Sequence, residues 1–137
     1  MTLFEQVAAE LEALVTKTLG LPPAAVYTSP EPQAVLRSGL EVWLEPLRPQ
    51  QAAPGVTSYL FALHLRLRVQ GLPAQTLGLA AKALRVPAEA LRAALDGQRP
   101  FAGRVPQLIG LALEGGLFTS RDQELFLELD LKAVCVD

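Results

Sequence analysis

The first twenty residues carry the most regular hydrophobic pattern in the chain. Apolar side chains recur there at three- and four-residue spacing, which places them on one face of an amphipathic helix. Thr2 is followed three residues later by Glu5, which is the spacing of a capping box at a helix start. Gly20, followed by two prolines, is a typical stop signal. The pattern therefore predicts a helix between Thr2 and Gly20 that buries one face.

Several later segments alternate between apolar and polar residues, which is the period of a β-strand with one buried face. The clearest runs from Tyr59 to Val69, and another runs from Leu125 to Leu131. After Lys132 the apolar positions shift to Val134 and Val136, which predicts a bulge or a frayed end. The weaker candidates are Ala24 to Thr28, Val35 to Leu47 with a bulge at Gly39, and Val105 to Leu113.

Prolines and glycines interrupt these strands and predict irregular connections. The segment from Pro46 to Val56 holds three prolines and a glycine without any periodicity, so we interpret it as a long loop. Glu114 to Gly116 and Thr119 to Asp122 are predicted turns.

A second helical segment follows the long strand. Pro73 stands where a first-turn proline is favourable, and small apolar residues recur at helical spacing up to Leu84. Pro87 is expected to break this helix, because proline lacks an amide hydrogen. A second short helix would then end at Asp96 and Gly97. The region is accordingly predicted as one helix or a helix pair.

The order of elements indicates an α+β fold. We expect a single, mostly antiparallel sheet with the N-terminal helix and the mid-chain helix or helix pair packed on one face, because every clear strand alternates. Residues 1–137 contain no repeat and no composition shift that marks a boundary, so they are predicted to form one domain.

Composition and charge exclude several classes of function. The chain has 137 residues, 50% of them hydrophobic, and a formal net charge of −2. One Cys cannot build a disulfide framework, and Cys135 with His64 is too few for a four-ligand zinc site. Twelve basic and fourteen acidic residues give no signature of sequence-specific nucleic-acid binding. The absence of Asn and the abundance of Pro fit a thermophilic source, whereas the excess of Leu, Ala and Arg fits a GC-rich genome equally well.

No segment resembles a targeting or membrane-spanning sequence. The first twenty residues contain three glutamates and lack a basic stretch followed by an apolar core. No apolar run approaches the ~20 residues that a spanning helix needs. The sequence therefore predicts a protein made in a cytoplasm, without a membrane partner.

The residues that could carry chemistry are better explained structurally. His64 lies on the polar face of the long strand without a neighbouring nucleophile, and Cys135 ends the last strand between two valines. The Gly115 and Gly116 pair belongs to no phosphate-binding motif. We therefore expect no enzyme, no cofactor and no metal.

The polar faces of two strands carry opposite charges. His64, Arg66 and Arg68 alternate along the long strand, and Glu124, Glu128 and Asp130 do so along the last one. These charges are expected to form either cross-strand ion pairs within one sheet or contacts between subunits. Trp43, on the polar face of its strand, indicates either a second packed layer or a subunit contact.

The whole arrangement resembles the tail terminator and tail-completion proteins of long-tailed bacteriophages. The resemblance rests on Val26 and Tyr27, on Ser29 and Pro30, and on the Val35 to Leu47, Tyr59 to Val69 and Leu125 to Leu131 strands. It is a similarity in the order and length of elements, with no diagnostic motif. Proteins of that family have a helix-on-sheet fold, form rings that are commonly hexameric, and stop the growth of the tail tube before the head joins.

The resemblance implies contacts with other copies, with the tail tube protein and with neck or connector proteins in the virion tail. It makes the loops Pro46 to Val56 and Arg99 to Gln107 candidate contact regions. The candidate contact residues are Trp43, Arg48, Gln50, Arg66, Arg68, Phe101, Arg104, Glu128 and Asp130. The alternatives are a neck or head-completion protein and a small non-enzymatic ligand-binding or regulatory domain, which would need a pocket between helices and sheet.

Overall fold

The computed structural model describes residues 2–32, 39–68, 74–95, 100–121 and 124–136. Two helices and six strands lie in these ranges. They are α1 (Leu3–Leu19), β1 (Val26–Thr28), β2 (Leu40–Pro46), β3 (Gln50–Ala53), β4 (Val56–Arg68), α2 (Ala74–Leu95), β5 (Leu108–Arg121) and β6 (Glu124–Val136), with short 3₁₀ turns at Pro23–Ala25 and Pro100–Gly103.

The strands form one mostly antiparallel sheet in the order β1-β2-β4-β6-β5. Only β1 and β2 run parallel, and β3 pairs with the start of β4. One face of this sheet, which we call the inner face, forms the core with α1 and α2. The fold is therefore α+β with an N-terminal and a mid-chain helix, as the sequence predicts.

Helix α1 begins and ends where its cap signals indicate. The Thr2 hydroxyl accepts a hydrogen bond from the Glu5 amide at 3.1 Å, and the Thr2 amide donates to the Glu5 carboxylate at 3.3 Å. Gly20 ends the helix in the left-handed conformation with φ +64°, which glycine adopts without a Cβ clash. Val7 and Leu11 are among the residues that α1 buries against the sheet.

Helix α2 is continuous, so the predicted break at Pro87 is wrong. Proline removes only the hydrogen bond to the carbonyl of Ala83, which lies on the exposed face of the helix. On the opposite face Leu84, Ala88 and Leu91 are all buried in the core. Residues before and after Pro87 on this face pack in the core, and this packing keeps the helix continuous through Pro87.

The predicted long loop from Pro46 to Val56 is also wrong, because it contains β3. After three irregular residues the chain pairs again with β4 and turns tightly at Pro54 and Gly55. Gly55 has φ +75°, and a Pro-Gly pair is typical of a turn that needs a positive φ at its second central position. All four residues of β3 are exposed. The sequence therefore shows no alternation of apolar and polar residues that would have predicted this strand.

Strand β5 is longer than predicted, and Glu114 to Gly116 is no turn. The strand runs through these residues because one extra residue is accommodated between the pairs Glu114–Asp130 and Leu117–Glu128. Gly115 and Gly116, with φ +81° and +154°, supply the backbone of this bulge. Ile109 is a second such insertion near the start of the strand.

Strand β6 has no slip after Lys132, in contrast to the prediction. Its pairing with β4 is regular from Glu124 to Val136. The inward positions are taken by the small residues Ala133 and Cys135, both fully buried, so the period of two continues with less hydrophobic side chains.

Some sequence predictions fall partly outside the described residues. These are the first part of the Val35 to Leu47 strand, Val69 at the end of β4, Pro73, the helix end at Asp96 and Gly97, Arg99 at the start of a candidate contact loop, and Asp122. The last predicted turn, Thr119 to Asp122, is wrong in its described part, because Thr119 to Arg121 belong to β5. The short strand predicted from Ala24 begins at Val26, after a 3₁₀ turn.

Candidate interaction surface

The face of the sheet opposite the helices, which we call the outer face, collects four of the predicted contact residues. The strand register aligns Trp43 with His64 and then Glu128, and it places Arg66 directly opposite Glu41. Asp130 lies in the next row along β6. Neighbouring strands thus bring together residues that are far apart in the sequence.

Trp43 is covered by its own chain. Its ring stacks on His64 with the centroids 4.3 Å apart, and its indole N–H donates to the Ser29 carbonyl at 2.8 Å. His64 in turn has its Nε2 atom 3.0 Å from the Glu45 carboxylate. Trp43 therefore packs against residues of its own chain, and these contacts account for its burial.

Arg66 forms an ion pair within the sheet, but with a different strand from the one predicted. Its Nη1 atom lies 3.6 Å from an Oε atom of Glu41 on β2. Its guanidinium carbon lies 5.9 Å from the ring centre of Phe126 on β6. Only 5% of Arg66 and 4% of Glu41 is exposed. The expected partners on β6 do not take this role because Phe126, not an acid, stands opposite Arg66.

Acidic residues dominate the β6 and β5 side of the outer face. Glu114 is directly opposite Asp130 across the two strands, and both residues are exposed. Glu128, on the same face, is half-buried. Like charges placed directly opposite each other in a sheet repel, so this surface favours a basic partner.

We expect Asp130→Asn to stabilise the isolated chain by about 0.5 kcal/mol, because it removes the repulsion with Glu114. Thermal unfolding at low salt measures the change, and added salt should reduce it. Glu31→Gln is the matched control, since Glu31 is exposed outside the sheet and its loss changes the net charge equally. An equal gain in both variants would contradict the local repulsion.

Arg48 and Gln50 lie at the other side of the sheet. Both are exposed, Arg48 just before β3 and Gln50 at its first position. Arg68 ends β4 opposite Glu124 in the register, and its side chain lies outside the described residues.

The two candidates from the Arg99 to Gln107 loop serve within the fold. Phe101 is buried in the core, so it is not a surface contact. Arg104 binds Glu10 of α1 through its Nε and Nη2 atoms, with the closest nitrogen–oxygen distance at 2.8 Å. These hydrogen bonds, and then the charge of Glu10, raise the pKa of Arg104.

The outer edge of β5 is the feature that sequence reasoning missed. Within the described residues β5 is the last strand of the sheet and pairs only with β6. Ile109 and Leu117 are 60% and 64% exposed along it. The two predicted turns concealed this edge. The sequence gives no signal of this edge, because the apolar pair Leu117 and Phe118 is followed by three polar residues and shows no alternation.

Two cavities open on the described part of the protein. One, of about 180 Å³, lies beneath Leu47 and Leu60 on the outer face. The other, of about 280 Å³, lies between α2 and the β5 bulge and is lined by Arg85 and Arg92. Pockets for small molecules usually measure about 300–1,000 Å³, and both cavities lie below that range.

The described part of the chain contains no group of three or more His, Cys, Asp or Glu side chains that could hold a metal ion. Neither of its helices is long and apolar enough to cross a membrane. In comparisons with known proteins, no family model and no curated protein matched this sequence.

Proposed function

We propose that this protein is a structural subunit that joins further copies of itself into a ring, and that the ring caps a phage tail tube as in the tail terminators that the sequence resembles. The observation that supports assembly best is the fourteen-residue edge strand β5 with two exposed large apolar side chains. Natural proteins usually shorten, charge or cover such edges, because an open edge pairs with other strands.

The opposite side of the sheet offers a second edge. In the described residues β3 pairs only with β4, and all four of its residues are exposed. Pairing β5 of one subunit with β3 of the next uses two different surfaces. Contacts of this kind repeat around an axis and close into a ring when the rotation allows it.

The charges near the two edges also favour pairing of β5 with β3 of the next subunit. Arg48 precedes β3, whereas Glu114 and Asp130 lie on β5 and β6. Joining the two edges would bring the arginine of one subunit towards the acidic pair of the next. The exposed charges would then contribute to association at low salt and less at high salt.

Charged residues on the β5 edge should prevent the ring. In the double variant Ile109→Lys and Leu117→Lys, the exposed apolar contacts are lost and lysines oppose edge pairing. The matched control, Ala9→Lys with Ala13→Lys, adds the same charge on the exposed face of α1. Sedimentation over a concentration series should give the ring for the native chain and the control but not for the edge variant. Rings formed equally well by the edge variant would exclude this contact.

The role in the tail is tested in the organism that carries the gene. Loss of a terminator should give tail tubes of unregulated length that do not join heads. Tubes of normal length without heads would indicate the alternative neck role. Normal particles would exclude both.

A further inference from the structure

The solvent-facing side of α2 carries an apolar stripe that the ring contact does not use. Leu79 and Val86 are 68% and 65% exposed. With three alanines they follow alternating four- and three-residue steps, which keep side chains on one narrow face of a helix. We call this stripe the α2 seam; its residues are Leu79, Ala83, Val86, Ala90 and Ala93.

The residues of the α2 seam are complementary in size about Val86. Leu79 and Ala93 lie at equal distances from Val86 along the helix, as nearly do Ala83 and Ala90. If a second copy of α2 runs antiparallel to the first, Leu79 packs against the small residues at the far end of the partner helix. Large side chains then meet small ones, which lets two helices approach closely.

The charges beside the α2 seam are also complementary about Val86. Lys82 and Glu89 are both exposed, lie on the same flank of the seam and stand on either side of Val86. An antiparallel pair places Lys82 next to the partner's Glu89, twice in each pair. A parallel pair would place Lys82 of one copy and Glu89 of the other on opposite sides of the contact, so it lacks both of these ion pairs.

We propose that the α2 seam binds a second copy of this chain through an antiparallel α2–α2 contact. A surface that is complementary to itself about its centre is the requirement for a twofold interface. The contact joins two subunits and does not depend on the proposed ring. One helix from each copy makes an interface at the small end of the known range, so the pair is weak and forms at high concentration.

Charge reversal tests the orientation. Each single variant, Lys82→Glu or Glu89→Lys, replaces two attractive contacts by two repulsive ones and should weaken pairing about tenfold. The double variant with both reversals should restore it. The measurement is sedimentation in the background of the lysine edge variant, which is expected not to form the ring. Single reversals without effect, or a double variant that stays weak, would overturn the antiparallel contact.

Cysteine crosslinking gives an independent readout. In an antiparallel pair the two Val86 positions lie close together, whereas the two Leu79 positions are about 21 Å apart along the axis. Val86→Cys should therefore form a disulfide between copies under oxidation, and Leu79→Cys and the control Ala13→Cys should not. The native Cys135 is fully buried and does not compete. Crosslinking of both seam variants, or of neither, would overturn the proposal.

These experiments distinguish failure of the α2 seam contact from failure of the ring. If the edge variant still pairs through α2, then the seam proposal stands whatever happens to the ring. If the native chain forms a ring but the Val86→Cys variant does not crosslink, the seam proposal is wrong and the ring is unaffected. All substituted seam positions are exposed, and circular dichroism checks that each variant is folded.

Discussion

Replacing Arg66 with Met should lower the free energy of unfolding by about 3 kcal/mol, which is the lower end of the cost of breaking a buried ion pair. The change leaves the Glu41 carboxylate nearly buried on the outer face without its cation. It also removes the guanidinium from beside the Phe126 ring. Urea unfolding followed by circular dichroism measures the effect.

The companion variant removes both charges. Arg66→Met with Glu41→Leu should recover most of the lost stability, because apolar side chains of similar size replace a buried ion pair at little cost. The double-mutant cycle isolates the coupling between the two residues. If the losses in the free energy of unfolding of the two single variants simply add in the double variant, Arg66 and Glu41 are not coupled. That result would contradict their ion pair.

Phe61→Ala should be equally damaging, with a loss of about 3–5 kcal/mol in the free energy of unfolding. Phe61 is fully buried and stacks on Phe4 of α1 with the ring centres 5.6 Å apart. The substitution removes the largest fully buried side chain of β4 and leaves a cavity between the sheet and α1. Calorimetry or urea unfolding gives the loss.

Phe4→Ala is the matched control for Phe61→Ala. Phe4 is only partly buried at the edge of the same cluster, so the same truncation should cost clearly less. If Phe4→Ala proves the more damaging of the two, the core is centred on α1 instead of on the inner face of the sheet.

The sequence was sufficient for elements with strong local signals. The cap residues of α1 specified its type and both of its ends, and the alternation in β4 and in the first part of β6 specified these strands, although both strands extend beyond the predicted ranges. Their burial follows directly from the pattern, since nearly every inward position is a large apolar residue.

Two elements were predicted wrongly because the interactions that determine them are not local. Pro87 stays inside α2 because residues on both sides of it pack on the sheet. The two glycines of β5 form a bulge and not a turn because β6 is present to pair on both sides of it. A residue type alone cannot show which of these alternatives tertiary packing selects.

The candidate surface was predicted in part. The polar strand faces were identified, but the partner of Arg66 depends on the register between β2 and β4. Phe101 was assigned to the surface because the loop pattern carries no sign of burial, whereas it enters the core. The free edge of β5 could be recognised only when the order of strands in the sheet was known.

The mass of the native protein in solution tests self-assembly most directly. Light scattering over a concentration series at low and high salt should give a discrete species whose mass is a multiple of 14.7 kDa. This species should loosen as salt screens the charges near the two edges. A mass of 14.7 kDa at every concentration and salt level would contradict the account, because neither the β5 edge nor the α2 seam would then bind another copy.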